Sequence, residues 1–254
     1  MEMDGLESLS KIRSVMEDAV RNGGLHAVKG SLLWDSYRDF ELSVFKALKG
    51  SSQLSELNEE ALGQAKRLTQ LYQRQLTIPL LNMESVWMEY EEWMKQFNQD
   101  IDAHVKAAYE KATQNLKTIT PFEDQLSEAK DNSEEAPIFT RYLQSEINEL
   151  KDPIRIQALY ERVVAKLPLY EIFWMDYYKF VNRQFKNAEL TFAVFQKAVR
   201  NCSWSSSIWS DYIFQSEYYE KEPGFISGKA IHLHYNQLNL IVLVLIQLWL
   251  IILI

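Results

Sequence analysis

Five times along the chain a large aromatic residue is followed by tyrosine three positions later: Trp34 and Tyr37, Trp87 and Tyr90, Phe139 and Tyr142, Trp174 and Tyr177, Trp209 and Tyr212. A third residue three further on is looser, being Phe40, Trp93, Ser145, Phe180 and Gln215 in turn. Residues three apart drift slowly around one side of a helix, so each copy predicts a helix with an aromatic stripe. The interval is 35 residues from Phe139 to Trp174 and again from Trp174 to Trp209. That period suits two short helices and their turns. The earlier intervals are longer, 53 residues from Trp34 to Trp87 and 52 from Trp87 to Phe139. Two polar stretches account for the excess, residues 46–60 and the proline-bounded acidic residues 121–137. Both are expected to be loops or helix extensions on the solvent side.

A second helical pattern follows each of the first four aromatic segments. Leu68, Leu71, Tyr72 and Leu76 share one face, as do Val105, Ala108, Tyr109 and Ala112. Ile156, Leu159, Tyr160 and Val163 repeat the set, and Leu190, Val194, Phe195 and Ala198 complete it. This is the spacing of an amphipathic helix. Tyr72, Tyr109, Tyr160 and Phe195 are the expected second-helix core. Pro79 and Pro168 stop two of these helices, and Asp152-Pro153 starts the third. Residues 12–22 read as a second helix whose first is missing, so the chain is expected to begin inside a repeat.

Two helices joined by a tight turn cannot bury all their apolar surface alone, and stacked pairs bury it between neighbours. The sequence therefore predicts an all-α solenoid. With 7 Trp and 13 Tyr, large rings are its main packing material. Trp fills the gap between paired helices, and Tyr packs its ring while offering its hydroxyl to a neighbour. The stripe Trp34, Tyr37, Phe40, Trp87, Tyr90, Trp93, Phe139, Tyr142, Trp174, Tyr177, Phe180, Trp209 and Tyr212 reads as repeat core and not as a ligand cage.

The pattern aromatic–x–x–Tyr–x–x–aromatic–Glu, followed by an Ala- and aromatic-bearing helix, resembles the half-a-TPR (HAT) repeat of RNA-processing scaffolds. "GLHAVKGSLLWDSYRDFE" (24–41), "RQLTIPLLNMESVWMEYEEW" (74–93) and "AVRNCSWSSSIWSDY" (198–212) are similar to the HAT domains of U4/U6 snRNP recycling factors. The similarity runs from Ile12 to Lys229. The resemblance implies a right-handed superhelical array of HAT/TPR-like helix pairs and a nuclear protein–protein scaffold in pre-mRNA splicing. The implied partners are snRNP components and ubiquitin-specific proteases, with RNA met only indirectly. Three departures accompany it: the first repeat halves, the later repeats in which such proteins dimerise, and any RNA-recognition motif are missing. The family glutamate is uneven too, present as Glu41 and Glu146 but replaced by Met94, Val181 and Ser216.

Charge and motifs bear on the rival classes. The net charge is −8 and no long basic run is present, which argues against a primary phosphate-binding role but leaves room for a local basic stripe. An RNA-binding module stays as an alternative. The single cysteine, Cys202, excludes an internal disulfide and reads as a buried structural thiol. His232 and His234 form an H-x-H without further ligands, short of the three or four a zinc site needs. No nucleophile elbow, P-loop or dinucleotide fingerprint occurs. No enzyme, catalytic residue, metal or cofactor is expected. The acidic pairs Glu91-Glu92 and Glu134-Glu135 read as solvated faces or loops.

Residues 1–229 are thus expected to form the repeat array and 230–254 a hydrophobic tail. Leu240 to Ile254 contains only Gln247 as a polar residue. A helix of that length falls short of a bilayer core of about 30 Å. The repeat breaks off near Lys229, and the residues that follow are those of AT-rich codons. The tail is therefore expected to be read-through of intron sequence or a truncated reading frame. A membrane-tethered helical adaptor is the rival reading, with location at a membrane instead of the nucleus.

Overall fold

The computed structural model describes residues 2–50 and 54–220. Among these are ten α-helices and no strand. The chain divides into two compact units, Met1–Lys166 and Leu167–Ile254. The first holds α1 (Glu2–Gly23), α2 (Gly30–Lys49), α3 (Glu59–Leu76), α4 (Met83–Gln96), α5 (Ala103–Glu128), α6 (Asn132–Ser145) and α7 (Pro153–Lys166). The second holds α8 (Glu171–Phe185), α9 (Ala188–Asn201) and α10 (Ser206–Glu220). The five aromatic copies lie on α2, α4, α6, α8 and α10, and the second patterns on α3, α5, α7 and α9. Residues 12–22 fall on α1. The array boundary at 229, the tail 230–254 and its two histidines lie outside the described residues.

The second helices share one kind of start. Second helices are capped by Asn or Asp side chains, which accept from backbone N–H groups that would otherwise lack partners. Asn58 accepts from Ala61 (2.8 Å), Asp102 from His104 (2.8 Å), Asp152 from Ile154 (2.9 Å) and Asn187 from Leu190 (3.0 Å). Among the first helices, α6 is capped likewise by Asp131, accepting from Ser133 N at 2.8 Å, and at the start of α10 Ser205 Oγ accepts from Ile208 N at 3.1 Å, whereas α2, α4 and α8 have no side-chain cap. Their starts are fixed by the tryptophan of the helix itself in two of three cases. Trp34 Nε1 donates to the Gly24 carbonyl at 3.0 Å and Trp174 Nε1 to the Pro168 carbonyl at 2.8 Å. Trp209 does the same for α10, donating to Ser203 at 2.9 Å. Gly24 cannot carry a side chain, because a Cβ there would stand 2.7 Å from Trp34 Nε1 and 2.4 Å from the Val20 carbonyl oxygen.

In the first unit one core lies among α2, α3 and α4, where Phe45, Leu68, Tyr72, Leu76, Tyr90 and Trp93 are buried together. A second gathers Val20, Trp34, Tyr37, Leu71, Leu80 and Met83. In the second unit Phe195 stacks on Tyr212 (5.2 Å) and meets Tyr178 (4.4 Å), joining α9 to both α10 and α8.

The acidic stretch 121–137 departs from the expectation of a solvent-side insertion. Residues 121–128 continue α5 with Pro121 inside it, and residues 132–137 open α6, also with an internal proline. Glu123 and Glu135 are buried, not solvated. Each has a cation to meet, Arg162 for Glu123 and Lys166 for Glu135, and both cations come from α7. The insertion thus lengthens a helix until it serves two repeats. Tyr109, in the first half of α5, stacks on Trp87 of α4 at 4.4 Å, and Phe122, in the second half, stacks on Tyr142 of α6 at 5.1 Å.

Candidate interaction surface

In four of the first helices, α2, α4, α6 and α10, the tyrosine brings its hydroxyl to a partner on the preceding second helix. Tyr37 donates to Glu17 Oε1 of α1 at 3.0 Å, and Tyr142 to Glu123 Oε1 of α5 at 3.1 Å. Tyr90 accepts from Gln73 Nε2 of α3 at 3.0 Å, and Tyr212 pairs with Gln196 of α9. In each case the partner directly follows an apolar residue: Met16, Tyr72, Phe122 or Phe195. This signal, an apolar residue then Glu or Gln on the second helix, was present in the sequence and missed. Tyr109, the expected core residue of α5, stacks on Trp87, and Phe122 stands beside Tyr142.

Two of these contacts grow into matching three-helix clamps. Arg74 of α3 grips Glu17 with both terminal nitrogens, at 2.7 and 2.9 Å, and lies over the Trp34 ring at 5.3 Å. Arg162 of α7 grips Glu123 at 2.6 and 2.9 Å and lies over the Phe139 ring at 5.5 Å. Preceding second helix, first helix and following second helix are tied by one carboxylate. The Arg74 hydrogen bond holds the Glu17 carboxyl below its ordinary pKa. Burial, and then the hydrogen bond to Glu17, pushes the Tyr37 hydroxyl up to about 12. Burial, and then the field of Glu123, raises Tyr142 further. His26, in the turn before α2, accepts from Val28 N and Lys29 N through Nδ1 at 3.3 Å each. Its pKa is lowered by burial and then by the positive field of Arg162.

Seven residues after the first aromatic, all five copies are buried although the residue type varies: Glu41, Met94, Glu146, Val181 and Ser216. Where the residue is Glu, an arginine answers it. Glu41 takes Arg13 on both oxygens (2.8 and 2.9 Å) and Gln64 at 2.6 Å. Glu146 takes Arg155 at 2.5 Å, and burial outweighs that pairing, so its pKa is raised. The unevenness of the family glutamate is therefore a choice between an ion pair and an apolar filler at one buried position.

Trp34, Tyr37, Tyr90, Trp93, Phe139, Tyr142, Trp174, Tyr177, Trp209 and Tyr212 are buried, as are Tyr72, Tyr160 and Phe195. Phe40, Trp87, Phe180 and Tyr109 are half-buried. Trp87 and Tyr109 cover each other where α4 meets the exposed half of α5, and the Trp87 indole donates to Glu91 on its own helix at 3.0 Å. Cys202 is buried, its thiol pKa raised by burial first and the charge of Glu171 next. No group of three or more metal-ligating side chains occurs among the described residues. No described helix is long and apolar enough to cross a membrane.

With the aromatics turned inward, the positions five and nine residues after the first aromatic are among those left exposed in all five copies. They are Asp39 and Ser43, Glu92 and Gln96, Gln144 and Asn148, Lys179 and Arg183, Phe214 and Tyr218, Asn148 lying in the π-helical turn Glu146–Leu150 that follows α6. Sequence reasoning named no binding face. The signal was the polar stripe opposite the aromatic one, with its change of character in the last two copies.

Part of the chain that carries these helix pairs matches a known family. Residues 126–247 match the PRP39 C-terminal HAT repeat. Residues 126–247 are HAT repeats. That match runs past Lys229, where the repeat pattern was expected to end. The chain is 35% identical over 211 residues to the human protein named spliceosome associated factor 3, U4/U6 recycling protein, which covers 82% of this chain and 20% of the relative. The proteins of the same name from Danio rerio and Caenorhabditis elegans are 32% and 22% identical, over 76% and 78% of this chain and 20% and 23% of theirs. The chain thus spans about a fifth of the human relative's length.

Proposed function

We propose that this chain is a protein-binding scaffold acting in spliceosomal U4/U6 snRNP assembly and recycling in the nucleus. The observation that carries the reading is the 35% identity, over 82% of the chain, to a protein named for U4/U6 recycling. The architecture supports it. The ionisable side chains deepest in the fold are committed to holding helices together: Glu41 to Arg13, Glu123 to Arg162, Glu146 to Arg155. What faces outward is a row of variable side chains on first helices, suited to recognition by surface complementarity. In this reading the chain works without catalysis. It contacts snRNP proteins, and ubiquitin-specific proteases form the finer part of the same proposal.

The test is affinity capture from nuclear extract on the immobilised full chain, read by mass spectrometry for U4/U6 snRNP proteins. Enrichment that is lost when the array is opened by Trp174→Ala together with Tyr37→Ala is the expected result. Capture of no snRNP protein, or equal capture by the opened array, overturns it.

A further inference from the structure

The stripe at five and nine positions after the first aromatic is polar in α2, α4 and α6, becomes cationic in α8, and becomes aromatic in α10. Phe214 is 65% exposed and Tyr218 58%, where the first three copies carry Asp, Glu, Gln, Ser or Asn. This is not the packing stripe, because Ile208, Trp209 and Tyr212 already fill that role for α10. In the second unit the two kinds of side chain meet. Asn182, Arg183 and Lys186 from the end of α8 line one groove with Phe214, Gln215 and Tyr218 from α10. Asn182 ties the walls together, donating to Gln215 Oε1 at 3.5 Å and accepting from the Tyr219 hydroxyl at 2.5 Å. Lys179, one turn before Arg183, adds a third exposed cation on the same row.

We propose that this groove binds a short acidic peptide segment of a partner protein, its carboxylates on Arg183 and Lys186 and an apolar side chain between Phe214 and Tyr218. The inference rests on the scaffold reading and names the chemistry of one partner. Guanidinium and ammonium groups at a groove wall recognise carboxylates. Exposed aromatic rings one helical turn apart offer a slot for a flat or branched apolar side chain, and Tyr and Arg are the residue types that anchor interfaces. RNA shares the anionic chemistry but fits less well. Its affinity grows with the number of phosphates neutralised, and the groove offers few cations on a chain of net charge −8. The chain's own tail fits less well too, since no Asp or Glu follows Lys229.

The test is fluorescence anisotropy on the full chain with three labelled probes of equal length. One is a peptide alternating Glu with Leu and Phe, one the same peptide with Ser for Glu, and one an oligouridylate. Saturable binding of the acidic peptide is expected, weakened about tenfold or more by Phe214→Ser and likewise by Arg183→Glu with Lys186→Glu. These side chains are exposed, so thermal melting should not move. Absence of saturable binding, equal binding of the Ser peptide, tighter binding of the oligouridylate, or indifference to both variants overturns the proposal. Capture of snRNP proteins that survives in the Arg183→Glu, Lys186→Glu chain would overturn this groove as their docking site and leave the scaffold reading standing.

Discussion

Glu146 and Arg155 meet at 2.5 Å, with side chains 1% and 8% exposed. The remaining Arg155 nitrogens and Glu146 Oε2 are buried and make no hydrogen bond within the protein. A buried pair repays its desolvation poorly, yet breaking it strands a charge. Arg155→Met alone should therefore cost about 3–5 kcal/mol, whereas Arg155→Met with Glu146→Leu should fall within about 1–2 kcal/mol of the parent. Urea unfolding of the parent and the two variants decides it, and a double variant as unstable as the single would show that the pair itself stabilises. The tyrosines make a second prediction at this scale. Tyr37 is pushed up to about 12, and Tyr72, Tyr142 and Tyr212 are raised as well, burial being the first cause in each. A raised folded pKa contributes stability that is complete below the unfolded value near 10 and is lost as pH rises through the folded one. The urea midpoint should therefore fall as pH is raised above about 10, and Tyr37→Phe with Tyr142→Phe should flatten that fall. A midpoint that drops just as steeply in the double variant would assign the loss to other groups.

At the scale of the helix, the two clamps share one geometry in two settings. Glu123 and Arg162 are 3% and 25% exposed, Glu17 and Arg74 35% and 48%. Coulomb attraction and hydrogen bonds strengthen as water is excluded, while exposed pairs are screened. Glu123→Ala should thus destabilise by about 3 kcal/mol, because it strands Arg162 and the Tyr142 hydroxyl. Glu17→Ala should cost no more than about 1 kcal/mol. Equal losses in thermal or urea unfolding would mean that burial is not what separates them. Helix existence and the inward stripe were legible in the sequence, because period and aromatic spacing are properties of consecutive residues. Glu123 was not. It lay in an acidic, proline-bounded stretch that reads as surface, and only the arrival of Arg162 from a helix 39 residues away makes its burial affordable. Phe122 was hidden for a related reason: Tyr109 satisfied the same local pattern, and nothing local shows that α5 continues to serve a second neighbour. The changing outward row was visible but carried no meaning until the inward face was fixed.

Across the molecule, a repeat array distributes its stability among neighbouring pairs, so damage should stay near its source. The first unit offers a clean case. Glu41 is fully buried and links α1, α2 and α3 through Arg13 and Gln64, while α6 and α7 are tied by their own contacts, Tyr142–Glu123–Arg162 among them. Glu41→Ala leaves Arg13 and Gln64 without their shared carboxylate and should cost about 3–5 kcal/mol locally. Hydrogen exchange on the full chain should then speed up in α1, α2 and α3 while α6 and α7 keep most of their protection. A globular core would respond otherwise, with all seven helices of the unit losing protection together. The exchange pattern therefore reports the architecture itself. Uniform loss across α1 to α7 would mean that this unit unfolds as one cooperative body, and its helix pairs would then be repeats in sequence without being repeats in energy.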